Sequence, residues 1–168
     1  GNLIPVKNMA RLLHAFAALH GEPRLIIFGD GPESGALRAL CAELGLYSRV
    51  SFRGQCPREE LAEAYAAADC FVLASRSETF GVAYIEAMAA GLPVIATRCG
   101  GPEDFVTEEN GILIPVDDES ALAGAMERMM CCRADYDSAA IAADIRRKFA
   151  PETIAARLTE IYEGVLSC

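Results

Sequence analysis

The chain has 168 residues, 52% hydrophobic and 23% charged, a balance that suits one α/β domain with a real core. Its 15 Lys and Arg stand against 24 Asp and Glu, a formal charge of −9, and the cations are scattered rather than clustered, which argues against nucleic acid as the main partner. No apolar run approaches the roughly 20 residues that span a bilayer, and the opening G-N-L-I-P-V-K-N lacks the pattern of a signal peptide.

Gly1–Asn8 reads as the loop after the first strand of the domain, with that strand missing or cut short. Asn8 stands where a side chain can cap the next helix, whose apolar Met9, Leu12, Leu13, Phe16 and Leu19 recur at helical spacing. Arg24–Phe28 reads as a buried strand. Gly29-Asp30-Gly31-Pro32 is a turn into a helix, with Pro32 suited to its first position. That helix, Glu33–Leu44, carries Leu37, Leu40, Cys41 and Leu44 inward and ends at Gly45. Val50-Ser51-Phe52 is a short strand, followed by Arg53-Gly54-Gln55. Pro57 and Arg58 open a helix with Leu61, Ala64, Tyr65 and Ala68 facing inward, and Tyr65 reads as core.

Cys70–Ala74 is a short apolar run, partly β-branched and aromatic, and reads as a buried strand. A polar loop, Ser75–Thr79, follows it. Val82–Ala90 is rich in helix formers, and Gly91 sits where a left-handed C-terminal cap belongs. The amides around Phe80, Gly81 and Val82 then fall at a helix start, where free N–H groups and the macrodipole attract phosphate. Two glutamates, Glu78 in the loop and Glu86 on the helix, frame this stretch with seven residues between them.

Leu92–Thr97 is another strand, entered through Pro93. Gly100-Gly101-Pro102 reads as a mobile turn beyond it. Ile112-Leu113-Ile114 is a short strand stopped by Pro115. Asp117 or Asp118 caps a helix over Ala121–Cys131. Helices over Ser138–Phe149 and Glu152–Leu166 close the chain, the last with a stripe of Ile154, Leu158, Ile161, Tyr162 and Val165. The alternation of strands and helices predicts a Rossmann-like parallel sheet flanked by helices on both faces, in a single domain over residues 1–168. Seven cysteines without a C-x-x-C pair, and without His at metal spacing, read as free thiols.

The stretch E-T-F-G…E-A-M-A-A-G-L-P-V-I-A-T…G-G-P-E-D…N-G-I-L-I-P, with Glu78 and Glu86 as an E-x7-E pair, resembles the C-terminal donor-binding domain of retaining GT-B glycosyltransferases of family 4. The resemblance runs from Gly1 to about Ile161. It implies one half of a GT-B fold, with the N-terminal acceptor domain absent from this chain. It implies a nucleotide-sugar donor, Glu78 and Lys7 as the catalytic pair, and the amides of Thr79, Phe80, Gly81 and Val82 on the β-phosphate. Glu86 is the expected acceptor for the ribose hydroxyls. Gly29 and Gly31 either line the nucleotide cleft or form a plain strand-to-helix turn. Asn2 stands where the family usually has arginine, and it brings no charge; either pyrophosphate binding is weaker, or Arg53 or Arg76 is the substitute cation. No metal and no cofactor are expected. The free thiols point to a reducing cytoplasm, and the resemblance implies a protein that transfers nothing without its partner domain, with any membrane contact peripheral, on the inner face of the cell membrane and through that domain. The alternatives are a non-catalytic nucleotide- or sugar-phosphate-binding module, or another GT-B enzyme such as a nucleotide-sugar epimerase.

Overall fold

The structure, a computed structural model, describes residues 1–166. Strands and helices alternate: α1 (Met9–Ala17), β1 (Leu25–Phe28), α2 (Ser34–Glu43), β2 (Val50–Gly54), α3 (Arg58–Ala67), β3 (Phe71–Leu73), α4 (Val82–Ala89), β4 (Val94–Thr97), β5 (Gly111–Ile114), α5 (Glu119–Cys132), α6 (Ser138–Lys148) and α7 (Pro151–Leu166). Three short 3-10 segments, Pro5–Lys7, Gly101–Asp104 and Arg133–Asp135, fill connections. Every strand pair is parallel, so each strand-to-strand link must cross over, and the helices do this.

The strands form two groups, β1 with β2 and β3-β4-β5. The groups share no ladder. The segment Gly1–Val6 bonds to both instead. Gly1 N donates to Phe28 O (2.9 Å), Leu3 N donates to Asp30 O (2.9 Å), and Arg76 N donates to Val6 O (2.8 Å). Leu3 is buried in the same core that holds Ile27 of β1 and Ala74 after β3. The two groups are therefore joined by this segment and by one core.

Side-chain alternation along β4 shows why both faces are covered. Ile95 lies in the core that also holds Leu12, Leu13, Leu37, Leu122 and Met126, from α1, α2 and α5. Val94 and Ala96 point the other way, into Tyr84, Met88, Ile141 and Ile145 of α4 and α6. All four residues of β4 are buried, as a two-sided parallel strand requires.

The predicted elements appear with ends displaced by at most two residues. Gly45 and Gly91 take the left-handed backbone at helix ends (φ 68° and 88°), and the Asp118 carboxylate accepts from Ala121 N at the start of α5. Asn8 departs from expectation. It occupies the N-cap of α1, but its backbone is left-handed (φ 54°) and its side chain bonds no helix amide. Its amide group is drawn to Asp117 instead. The turn expected to be mobile at Gly100–Pro102 is a 3-10 helix with Gly101 and Pro102 buried. The stripe on α7 is exposed, including Leu158, Ile161, Tyr162 and Val165. Among the described residues no helix is long and apolar enough to cross a membrane. Six cysteines are free thiols, and Cys168 lies outside the described residues.

Tyr84 ties a helix to a strand. Its ring is fully buried against Phe71, edge to face, and its hydroxyl donates to Leu73 O (2.9 Å). Burial chiefly pushes the phenol far above its usual pKa, so it stays a donor at any working pH. Tyr84→Phe removes this buried hydrogen bond, and we expect a loss of about 1 kcal/mol. A lower urea midpoint with an unchanged m value checks this.

Candidate functional site

Parallel strands place their carboxyl ends on one side, and the loops there carry most of the singled-out residues. After β3, buried Ser75 begins the loop that presents Glu78. Glu78 N donates to Cys99 O (3.1 Å), and Gly101 N donates to Glu78 O (2.9 Å). The loop after β4 thus acts as a backbone splint for Glu78. Gly101 permits the approach: a Cβ there would lie 2.5 Å from the Phe80 backbone.

The Glu78 carboxylate is held at one oxygen. Lys7 Nζ lies 2.7 Å from Oε1, and Ser75 Oγ donates to the same atom at 2.7 Å. The Glu78 side chain is only 11% exposed and that of Lys7 24%, so water screens the pair weakly. Oε2 has no partner among the described residues and remains able to accept a bond. Sequence reasoning missed Ser75, because nothing in S-R-S-E tells which serine turns inward. It also missed Thr97, buried, whose hydroxyl donates to Ser75 O and fixes that serine's backbone.

Helix α4 follows with Gly81 at its N-cap in the left-handed region (φ 89°). The amides of Phe80, Gly81, Val82 and Ala83 have no acceptor among the described residues. Eight residues of aligned peptide dipoles stand behind them, so this end is a site of positive potential in an acidic chain. Phe80 and Val82 are exposed, and Phe80 packs edge to face on Phe149 and Phe105. Thr79 is exposed beside them.

Glu86 is exposed one turn further along α4. Its surroundings are read from its neighbours. Burial first, then the charges of Glu86 and Cys56, push the Tyr65 phenol up to about 12. Glu86, Cys56 and Tyr65 therefore share one electrostatic neighbourhood. Cys56 is a neighbour that the sequence did not single out.

The remaining candidates divide. Gly29 and Gly31 are required by the chain itself: a Cβ on Gly29 would fall 1.7 Å from Gly1 O, and one on Gly31 would fall 2.5 Å from Leu3 O. Their lack of side chains is thus explained by the N-terminal segment lying on them. Asn2 is exposed, with no side-chain bond among the described residues. Arg53 sits at a register shift: Ile27 pairs with Phe52 and Phe28 with Gly54, which leaves Arg53 as the extra residue of a bulge. Bulges re-aim side chains. Arg53 is exposed and has no ion-pair partner among the described residues. Arg76 is not a spare cation. Its Nε donates to both oxygens of Asp117, at 2.9 and 3.1 Å. Of the two arginines offered as substitutes for the charge absent at Asn2, only Arg53 keeps a free head group.

Lys7→Met alone leaves a mostly buried carboxylate without its cation, and Glu78→Gln alone leaves the ammonium facing an amide. In a double-mutant cycle read by urea unfolding we expect a coupling energy of about 1–2 kcal/mol, with the double variant more stable than Lys7→Met. Additive losses would show that the pair contributes nothing as a pair.

Comparison with known proteins gives the family and the fold. Residues 1–146 match the family model described as glycosyl transferases group 1. A GDP-mannose-dependent alpha-mannosyltransferase of Mycobacterium tuberculosis is 39% identical over 142 residues, covering 83% of this chain and 35% of that protein. A D-inositol 3-phosphate glycosyltransferase of Acidothermus cellulolyticus is 37% identical over 134 residues, covering 76% of the chain and 30% of that protein. Among solved structures, sucrose-phosphate synthase from Thermosynechococcus elongatus superposes with a TM-score of 0.85 at 34% identity, covering 99% of this chain and 44% of that one. Anabaena HepE in complex with UDP superposes at 0.86 with 26% identity, covering 98% and 47%. The fold is the α/β arrangement of these GT-B glycosyltransferases, and the chain spans less than half the length of the curated relatives it matches.

Proposed function

The chain belongs to the glycosyl transferases group 1 family, and from that premise we propose that it is the donor-binding half of a retaining, family 4 glycosyltransferase. The reaction is transfer of a sugar from a nucleotide-sugar to an acceptor. The observation that carries this reading is the Lys7–Glu78 pair set beside the unbonded amides at the start of α4. An ammonium and a helix N-terminus together suit a leaving diphosphate, and a carboxylate with one free oxygen suits a sugar. Anabaena HepE, of like fold, has been solved with UDP and with UDP-glucose, which supports a donor of this class.

The roles follow from the chemistry. Lys7 and the amides of Thr79, Phe80, Gly81 and Val82 take the charge that builds on the β-phosphate as the glycosidic bond breaks. Glu86 accepts from the ribose hydroxyls, as acidic residues do in dinucleotide folds. Arg53, re-aimed by its bulge, supplies the second cation that Asn2 cannot, while Gly29 and Gly31 line the cleft by backbone alone. Glu78 binds the sugar and stabilises positive charge at the anomeric carbon. Its Oε1 already holds an ammonium and a hydroxyl, which favours this role over that of a free nucleophile. With cations and amides on the phosphate, the reading calls for no metal. An acceptor domain elsewhere in the polypeptide completes the sugar site, so this chain alone binds donor and transfers nothing. The setting is cytoplasmic, with any membrane contact peripheral and through that domain.

Calorimetric titration with UDP, GDP and ADP tests the reading. One of the three should bind, and Glu86→Ala should weaken it by about tenfold or more, as befits lost bonds to a charged acceptor. The full-length protein should release a glycoside with the donor's anomeric configuration. Silence with all three nucleotides in the full-length protein, or an inverted product, would sink it.

A further inference from the structure

The Lys7–Glu78 pair joins residues 71 positions apart, and the backbone around it must be held in register for the pair to form. The structure shows what holds it. Asp117, in the loop between β5 and α5, accepts from Arg76 Nε through both carboxylate oxygens and from Asn8 Nδ2 through Oδ1 (3.2 Å). Arg11 Nε lies 3.3 Å from the same Oδ1. Asn8 is the residue after Lys7, and Arg76 stands two residues before Glu78. One carboxylate therefore grips both loops that carry the pair, and Arg76 N closes the ring on Val6 O (2.8 Å).

Backbone geometry singles out the same contact. Among the described residues, Asn8 (φ 54°) and Asp117 (φ 59°) are the non-glycine residues in the left-handed region. They are bonded to each other across 109 positions. A left-handed non-glycine residue carries a strain that glycine would not. The strain is retained at two places, and the side chains that glycine would lack are the ones that meet. Helix capping does not explain it, since neither side chain caps: Asn8 bonds no helix amide, and Asp118 rather than Asp117 caps α5.

We propose that Asp117, through Asn8 and Arg76, is a positioning residue that clamps the Lys7 loop to the Glu78 loop. Its functional consequence rests on the donor-site reading above; its structural half does not. Diphosphate entering the site competes with Glu78 for Lys7. The clamp lets those side chains exchange partners while their backbones stay where the leaving group needs them, which is preorganisation by a neighbour that touches neither donor nor acceptor.

The test is made in the full-length protein with Asp117→Gly, Asn8→Gly and the double variant, because glycine takes the left-handed backbone without strain. The melting temperature of Asp117→Gly should stay within about 2 °C of the parent. Amide hydrogen exchange should rise at least severalfold in residues 1–8 and in 74–80, and stay at the parent rate in α2. Transfer should lose about tenfold in kcat with less than threefold change in donor KM. Asp117→Asn, which keeps an acceptor for Asn8 and Arg76 and tolerates the backbone, should recover part of that loss. The double variant should be no worse than Asp117→Gly. Unchanged exchange in both loops overturns the clamp. So does a global rise in exchange with a collapse in melting temperature, or losses that multiply in the double variant. If UDP, GDP and ADP all fail to bind the parent protein, the donor reading falls, while exchange in the two loops still decides the clamp.

Discussion

The structure depends on a backbone seam. Two groups of parallel strands share no ladder, and the segment Gly1–Val6 bonds to one through Phe28 and Asp30 and to the other through Arg76. Such bonds need close main-chain approach, and Gly29 and Gly31 provide it by having no Cβ to intervene. The residues that make the seam also run straight into Lys7. The same few bonds that hold the domain's halves together therefore deliver a cation to the carboxyl ends of the strands. Fold and site share their covalent path, and a change that loosens one is felt in the other.

Charge is the second theme. A chain with a formal charge of −9 has to gather positive potential locally if it is to hold a diphosphate. The structure offers one ammonium beside the free amides of one helix start, while several other cations are already paired: Arg76 with Asp117, Arg98 with Glu103, Arg147 and Lys148 with Asp144. Backbone dipoles suit this task, because they are fixed by the helix, do not titrate and require no desolvation of a bulky charge.

Much of the architecture was legible from local pattern. Apolar periodicity located strands and helices, glycines at 45 and 91 marked helix ends, and the alternation of types called for a two-sided parallel sheet, as β4 displays. The helix start at Gly81 was equally readable, since a strand, a short polar loop and a run of helix formers leave few choices. What stayed hidden was long-range. Asn8 looks like a cap because its neighbours on the sequence are helical; its partner is 109 positions away. Gly29 and Gly31 read as a turn or a cleft-lining loop, and only the structure shows the N-terminal segment lying on them. Arg53 gives no sign of its bulge, which is a property of register between two strands. Ser75 and Thr97 are common polar residues whose burial only the assembled sheet creates.

Helix α7 has a consequence of its own. It presents Leu158, Ile161, Tyr162 and Val165 outward and packs mainly on α6. A helix of 16 residues is near the length at which water alone leaves the coil competitive. With its apolar stripe uncovered, α7 has little tertiary stabilisation to add to its own propensity, and each buried methylene on that stripe is worth about 0.8 kcal/mol to whatever surface covers it. The helix–coil balance of this element is thus set from outside. A covering surface would be felt first as a gain in helicity, before any change in the sheets beneath.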